Sequence, residues 1–297
     1  MKTYCVFHKV DLDGQSSAAI VKHFIPNAIF KPYNYNDPYP FAAGEIYPED
    51  RVFFVDVTIQ PYTEMLRIYE IVGKNLHIMD HHKSFLESEV GLELKEKLGK
   101  NFHCSLQKAG CELTWEFLSF LHQQTRVDSM PKAIKLLGQY DAWRDSTLKH
   151  LPYDTLWNTV LAFQMGMRQD KFNTREFIAN YILTNRNIDK TVESGLVILK
   201  YQDSQNSLAM NHAFSAVIKG FKCLIINTGS RNSQTFVSKW NPEEYDFMVA
   251  FSMTKDRKWG WSFYTDKVGF DASALAAQFG GGGHAGAAGC TTDELIF

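Results

Sequence analysis

Residues 4–14 read Tyr4-Cys5-Val6-Phe7-His8-Lys9-Val10-Asp11-Leu12-Asp13-Gly14. An apolar run of strand length passes directly into a histidine and two aspartates ahead of a glycine. The arrangement recurs downstream. Val52-Phe53-Phe54-Val55 is followed by Asp56, and the less purely apolar Leu76-His77-Ile78-Met79 is followed by Asp80-His81-His82. Between the first two runs, Ser16 to Phe24 is helix-like and leads into a loop rich in Pro, Tyr and Asn. Between the second and third, Tyr62 to Val72 carries Met65, Ile68, Tyr69 and Val72 at helical spacing. Strand, helix, strand, helix, strand predicts an α/β fold whose parallel sheet has right-handed crossovers.

Helical patterns follow at Cys111–Leu121, at Pro131–Tyr140 and through most of 156–211, with Thr191–Leu208 readable as one connecting helix. After that the texture changes. Phe214–Ile218, Phe221–Ile226, Tyr245–Phe251 and Trp259–Tyr264 read as strands, and Ala272–Phe279 reads as a short helix capped by Asp271. The expected organisation is a domain over 1–186, a helical linker over 187–212 and a smaller α/β domain with a mixed sheet over 213–297.

Composition bounds the function. In 297 residues, 31 Lys and Arg face 33 Asp and Glu, a net charge of −2. That balance disfavours gripping long duplex DNA by positive charge. Apolar residues at 45% supply a packed core rather than a disordered chain. No uninterrupted apolar window approaches the ~18 residues of a membrane span, and the N-terminal stretch turns acidic too soon for a signal peptide. Five scattered cysteines without a C-x-x-C pair read as reduced thiols in a cytoplasmic protein.

The three strand ends carry the chemistry. In an open parallel sheet, the carboxyl ends of neighbouring strands converge on one crevice where ligands bind. His8, Asp11, Asp13, Asp56, Asp80, His81 and His82 would meet there, and Asp141, ending the Pro131–Tyr140 helix, is a candidate to join them. Each residue alone has an ordinary reading as a turn or cap residue. Together, crowded carboxylates require compensating charge. Asp and His without Cys suit a hard divalent ion, manganese or magnesium before zinc. Four ligating aspartates balance two divalent ions, which is the electrostatic logic of two-metal hydrolysis.

A second signal is Gly280-Gly281-Gly282-Gly283-His284-Ala285-Gly286-Ala287-Ala288-Gly289. Four consecutive glycines point to close approach or positive φ, and their backbone N–H groups suit a phosphate, with His284 as a further donor.

These motifs together resemble the DHH phosphoesterase superfamily, and residues 271–289 are similar to its DHHA1 domain. The short-substrate members, nanoRNases and cyclic-dinucleotide or pAp phosphoesterases, are the nearest group. The resemblance implies a DHH domain, a helical linker and a DHHA1 domain, with the active site in the cleft between domains. It implies two manganese ions: His8, Asp11 and Asp56 would hold one, and Asp13, Asp56, His81 and Asp141 the other. Asp80 would orient its neighbours, His82 would contact the scissile phosphate, and Gly282, Gly283 and His284 would bind the terminal phosphate. Two departures stand out. Many relatives space the first motif His-x-x-x-Asp-x-Asp, one residue longer than here. Many also place an Arg in the strand before the glycines, where this chain has Trp261-Ser262-Phe263-Tyr264-Thr265. Arg231, Arg144 or Arg257 would have to substitute.

The expected activity is manganese-dependent hydrolysis of short oligonucleotides to nucleoside 5′-monophosphates, as a 3′–5′ exoribonuclease-like phosphodiesterase. Cyclic dinucleotides or pAp are the alternative substrates, and a non-catalytic nucleotide sensor is the alternative class. Residues 211–289 hold eight Lys and Arg against six Asp and Glu, a field suited to one or two phosphates. Trp240, Trp259, Trp261 and Tyr264 read either as a stacking face or, by aromatic burial, as core. Short oligonucleotides or dinucleotides are the expected partners, without membrane or long duplex, and a homodimer is left open.

Overall fold

The computed structural model describes residues 1–35, 37–122, 130–142, 144, 156–229 and 232–297. They form two compact units, Met1–Ile198 and Leu199–Phe297.

The first unit opens with β1 (Thr3–His8), α1 (Leu12–Phe24), β2 (Ile29–Tyr33), β3 (Arg51–Val55), α2 (Thr63–Val72) and β4 (Leu76–Met79). The strands form one parallel sheet in the order β2-β1-β3-β4. Two details differ from the sequence reading. Helix α1 begins at Leu12 rather than Ser16, because Asp11 caps it by accepting the Gly14 N–H at 2.9 Å. The stretch read as a Pro- and Tyr-rich loop contains β2. Its Pro32 contradicts a central strand but is admissible here, since β2 is the sheet's edge.

Alternate strand residues face opposite cores. Cys5, Phe53, Val55 and Met79 pack with residues of α1, of α5 (Gly110–Leu121) and of α6 (Lys132–Asp141). Tyr4, Val6, Val52, Phe54, Leu76 and Ile78 pack with residues of α2 and of α4 (Glu89–Leu98), which follows the one-turn α3 (Lys83–Leu86). Helices on both faces give a doubly wound sheet. The chain moves from β1 to β2 on one side, then crosses to β3 on the other, so the order reverses between β1 and β3. The unit continues with α7 (Leu156–Met167), α8 (Thr174–Phe177) and α9 (Ile188–Ala209), and the division between units falls inside α9.

The second unit contains β5 (Phe214–Ile218), β6 (Phe221–Asn227), β7 (Phe247–Met253), β8 (Trp259–Tyr264), α10 (Ala272–Ala277), β9 (Gly282–His284) and β10 (Ala287–Thr292). The sheet order is β5-β6-β7-β8-β10-β9, parallel only between β6 and β7. Helix α10 covers one face with Ala272, Leu275 and Ala276. The aromatic residues mostly pack. Trp261 is buried, stacks on Phe251 at 4.9 Å and donates its indole N–H to Thr292 Oγ1 at 2.8 Å. Trp240 donates to Asp266 at 2.8 Å. The glycine run supplies β9 and leads through a turn into β10.

Among the described residues, no helix is long and apolar enough to cross a membrane. All five cysteines are free thiols.

Candidate metal centre

The carboxyl ends of β1, β3 and β4 flank the point where strand order reverses, and the sequence has placed its acids and histidines there. Strand β1 ends at His8. The chain turns at once into α1, and Gly14 makes this turn feasible: a Cβ there would stand 2.1 Å from the His8 carbonyl oxygen. Asp13, in the first turn of α1, is buried. Its two oxygens accept the N–H groups of Gly110 and Cys111, each at 2.7 Å. These are the first free donors of α5, so a helix N-terminus holds this carboxylate in place.

Asp56 follows β3 and extends the ladder by donating its N–H to the Met79 carbonyl at 2.8 Å. It is buried and has φ +59°, a left-handed conformation that non-glycine residues rarely adopt. Gly110 is flush against it: a Cβ there would lie 2.5 Å from Asp56 Cβ. Asp80 is fully buried behind β4. Its Oδ1 accepts the N–H groups of His81 and His82 at 2.7 and 3.2 Å and lies 2.7 Å from His82 Nδ1.

These elements bring the predicted ligands together. His8 Nδ1 lies 2.5 Å from Asp11 Oδ2 and 3.7 Å from Asp56 Oδ2. His81 Nε2 lies 3.1 Å from Asp141 Oδ2, 3.2 Å from Asp56 Oδ1 and 3.7 Å from Asp13 Oδ2. Donor atoms within 4.8 Å of one another form the groups His8–Asp11–Asp56, Asp13–His81–Asp141 and Asp56–His81–His82. Asp56 thus stands in two of them. The shortened first motif still delivers His8 to Asp11 and Asp56, because its other nitrogen, Nε2, is occupied by Asn34 Oδ1 at 3.0 Å.

Charge in the cluster is mutually imposed. Burial opposes an imidazolium, yet Asp11 and Asp56 hold His8 up at about 10, and Asp141 and Asp56 hold His81 up at about 12. Burial, with the charges of Asp56 and Asp141, pushes Asp13 well above the carboxylate range. Burial likewise raises Asp11. Asp56 is held low against its own burial by His8 and His81. Two cationic rings therefore stand where a cluster of acids needs positive charge. Both Asp56 oxygens and His8 Nδ1 are buried without a hydrogen-bond partner. They lie beside charged neighbours without hydrogen-bond geometry, and with His8 deprotonated they would offer a common cation three donor atoms. Oxygen and imidazole donors suit manganese or magnesium. Burial holds the nearby Cys111 thiol protonated, so it is no competing ligand. The residues present fit a pair of hard divalent ions.

Sequence reasoning missed Gly110, the α5 N–H pair and Asn34. A glycine opening a helix is a weak local signal, and nothing near it in sequence says that it faces Asp56. Arg144 is not a free substrate contact: its guanidinium holds Glu112 Oε1 at 2.7 Å and the Gln107 carbonyl at 3.0 Å. Glu112 also accepts the Ala109 N–H at 3.1 Å, so Arg144 braces the start of α5. Arg231 lies outside the described residues. Gly282, Gly283 and His284 form the exposed edge strand β9 of the second unit.

No family model and no curated protein sequence matches the chain. Solved structures do. The DHH domain of a member of a family of ribosomal proteins matches at 14% identity over 98% of this chain and 82% of that one, with a TM-score of 0.58. A pGpG-specific phosphodiesterase from Vibrio cholerae matches at 12% identity over 98% and 93%, with a TM-score of 0.49. RecJ with Mg2+ from Thermus thermophilus matches at 13% identity over 99% of this chain and 47% of its own, with a TM-score of 0.44. At such identities the likeness is one of fold, and the fold of this chain is that of the DHH-domain proteins, as its Asp80-His81-His82 motif implies.

Proposed function

We propose that this chain is a divalent-metal-dependent phosphodiesterase of the DHH superfamily, with manganese as its ion, that hydrolyses short oligonucleotides to nucleoside 5′-monophosphates. The observation that carries this reading is the pair of buried Asp56 oxygens, without a hydrogen bond, set between the His8–Asp11 and Asp13–His81–Asp141 groups. One ion would rest on His8, Asp11 and Asp56, the other on Asp13, Asp56, His81 and Asp141. When bound, such ions neutralise phosphate charge and lower the pKa of water.

The chain's own residues supply position and protons. Asp80, through three contacts from one oxygen, fixes the backbone and ring of His82. With Nδ1 facing Asp80, Nε2 is the atom left for a substrate. Burial opposes its charge, but Asp80 raises the His82 pKa, which favours a proton on Nε2 for donation to a phosphate oxygen. In the second unit, Gly282 and Gly283 expose main chain beside His284, which supports their assignment to the terminal phosphate. The modest positive balance of 211–289 supports a short substrate. Free thiols suit a reducing compartment such as the cytoplasm.

The test is a substrate panel: purified protein with Mn2+ and 5′-labelled RNA di- to pentamers, a cyclic dinucleotide and pAp. Release of mononucleotides from the RNA oligomers is expected. Turnover of cyclic dinucleotide or pAp alone would replace the substrate, and turnover of none would overturn the enzymatic reading.

A further inference from the structure

The first unit holds a cavity of about 470 Å³ that is lined by none of the candidate metal ligands. Its apolar walls include Phe7 on β1, Phe30 on the neighbouring edge strand β2, and Phe172 from the segment before α8. The Phe7 and Phe30 rings meet edge to face at 6.4 Å. All three rings are only partly buried, which leaves aromatic surface open to water at a free-energy cost.

The polar lining is cationic. Lys9, Lys22 and Lys171 border the cavity, and no acidic residue lines it among the described residues. Lys9 is neutralised by Asp37 at 2.7 Å. Lys22 lies 5.7 Å from the Phe30 ring centroid and, among the described residues, meets a backbone carbonyl, that of Pro26, and no carboxylate. Lys171 has no ion-pair partner among the described residues. Two uncompensated positive charges thus adjoin a cluster of aromatic rings. A phosphomonoester carries about −1.5 to −2 at neutral pH, and its nucleobase offers a flat face for aromatic walls. The volume lies within the roughly 300–1,000 Å³ of small-molecule pockets.

We propose that this cavity binds a nucleoside monophosphate, its base among Phe7, Phe30 and Phe172 and its phosphate between Lys22 and Lys171. Such binding is separate from the proposed reaction and does not require it.

The experiment is titration calorimetry of AMP into the full chain in EDTA, which removes any bound divalent ion. Saturable one-to-one binding is expected. Lys22→Ala/Lys171→Ala should weaken it by about tenfold or more with an unchanged melting temperature. Phe172→Leu should weaken AMP while leaving inorganic phosphate, the second titrant, unaffected. Absence of saturation at millimolar AMP, or equal affinity in the double-lysine variant, would overturn the site. Inorganic phosphate binding as tightly as AMP would overturn the aromatic half of it. Failure of the RNA panel with AMP binding intact would remove the enzymatic reading and leave this site standing.

Discussion

The ends of β1, β3 and β4 and the glycine hairpin of β9 and β10 are both built from residues with little freedom, but in opposite ways. At the strand ends, the side chains matter and the surroundings lock them: a helix N-terminus on Asp13, Gly110 against Asp56, and three contacts on one Asp80 oxygen. In the hairpin, the backbone matters and glycines leave it bare beside His284. Gly283 has φ +146°, a Cβ there would lie 2.6 Å from Ala288 Cα, and residues 282–284 are exposed. A cluster of like charges needs a rigid, buried frame. A grip on phosphate needs only exposed N–H groups at the right curvature.

Substitutions can break each half of this contrast separately. Asp56→Asn should cost the most, about a thousandfold or more in kcat/KM, since one charge serves two ligand groups. Metal content measured beside activity checks it, and full activity would remove the bridging role. Asp80→Asn should lower activity by about 10- to 100-fold. Its pH–rate profile should move as well, because the His82 pKa depends on that carboxylate.

Gly110→Ala tests the frame without touching a charge. Overpacking against Asp56 should cost about 1–3 kcal/mol in denaturant melts and weaken Mn2+ binding. Normal metal affinity with normal stability would show that the frame yields easily at this contact.

His77 extends the contrast along one strand. It stacks on Phe53 at 4.6 Å inside the core, and burial with Arg51 nearby lowers its pKa to about 4 from 6.5. The unfolded chain therefore takes up this proton first as pH falls. Stability is present above about pH 6.5 and is lost between there and about pH 4, roughly 2 kcal/mol between pH 7 and 5. Urea melts of His77→Phe should show a smaller loss over that range, and an unchanged slope would deny His77 the effect. Gly283→Ala crowds the Ala287–Ala288 backbone and so distorts the hairpin itself; it should raise KM for short substrates by about tenfold while sparing kcat. A fall in kcat at constant KM would move the hairpin from grip to chemistry.

The sheet and the cluster of acids and histidines were legible because they obey short-range rules. Apolar runs of strand length end in acids and histidines, and neighbouring parallel strands must bring those ends together. Helix α10 was legible from Asp271, whose carboxylate does accept the N–H groups of Ser273 and Ala274. Strand β2 was not, because Pro32 argues against a strand until the chain is known to run along an edge. Gly110 and Asn34 escaped for another reason. Their roles depend on residues 54 and 26 positions away, and no local pattern encodes that proximity. The glycine run announced unusual backbone but not a hairpin, since closely packed strands and a bare loop use the same residue.

An ion held by the buried Asp56 oxygens would also set how long the protein survives. The ligands disperse when the chain unfolds, so an ion that binds only the folded form adds stability by mass action, about 2.7 kcal/mol at a hundredfold excess over Kd. The melting temperature then becomes a gauge of ion supply. Scarcity of the ion would not merely idle the protein but thin its population through proteolysis, making abundance itself a response to the metal economy of the cell.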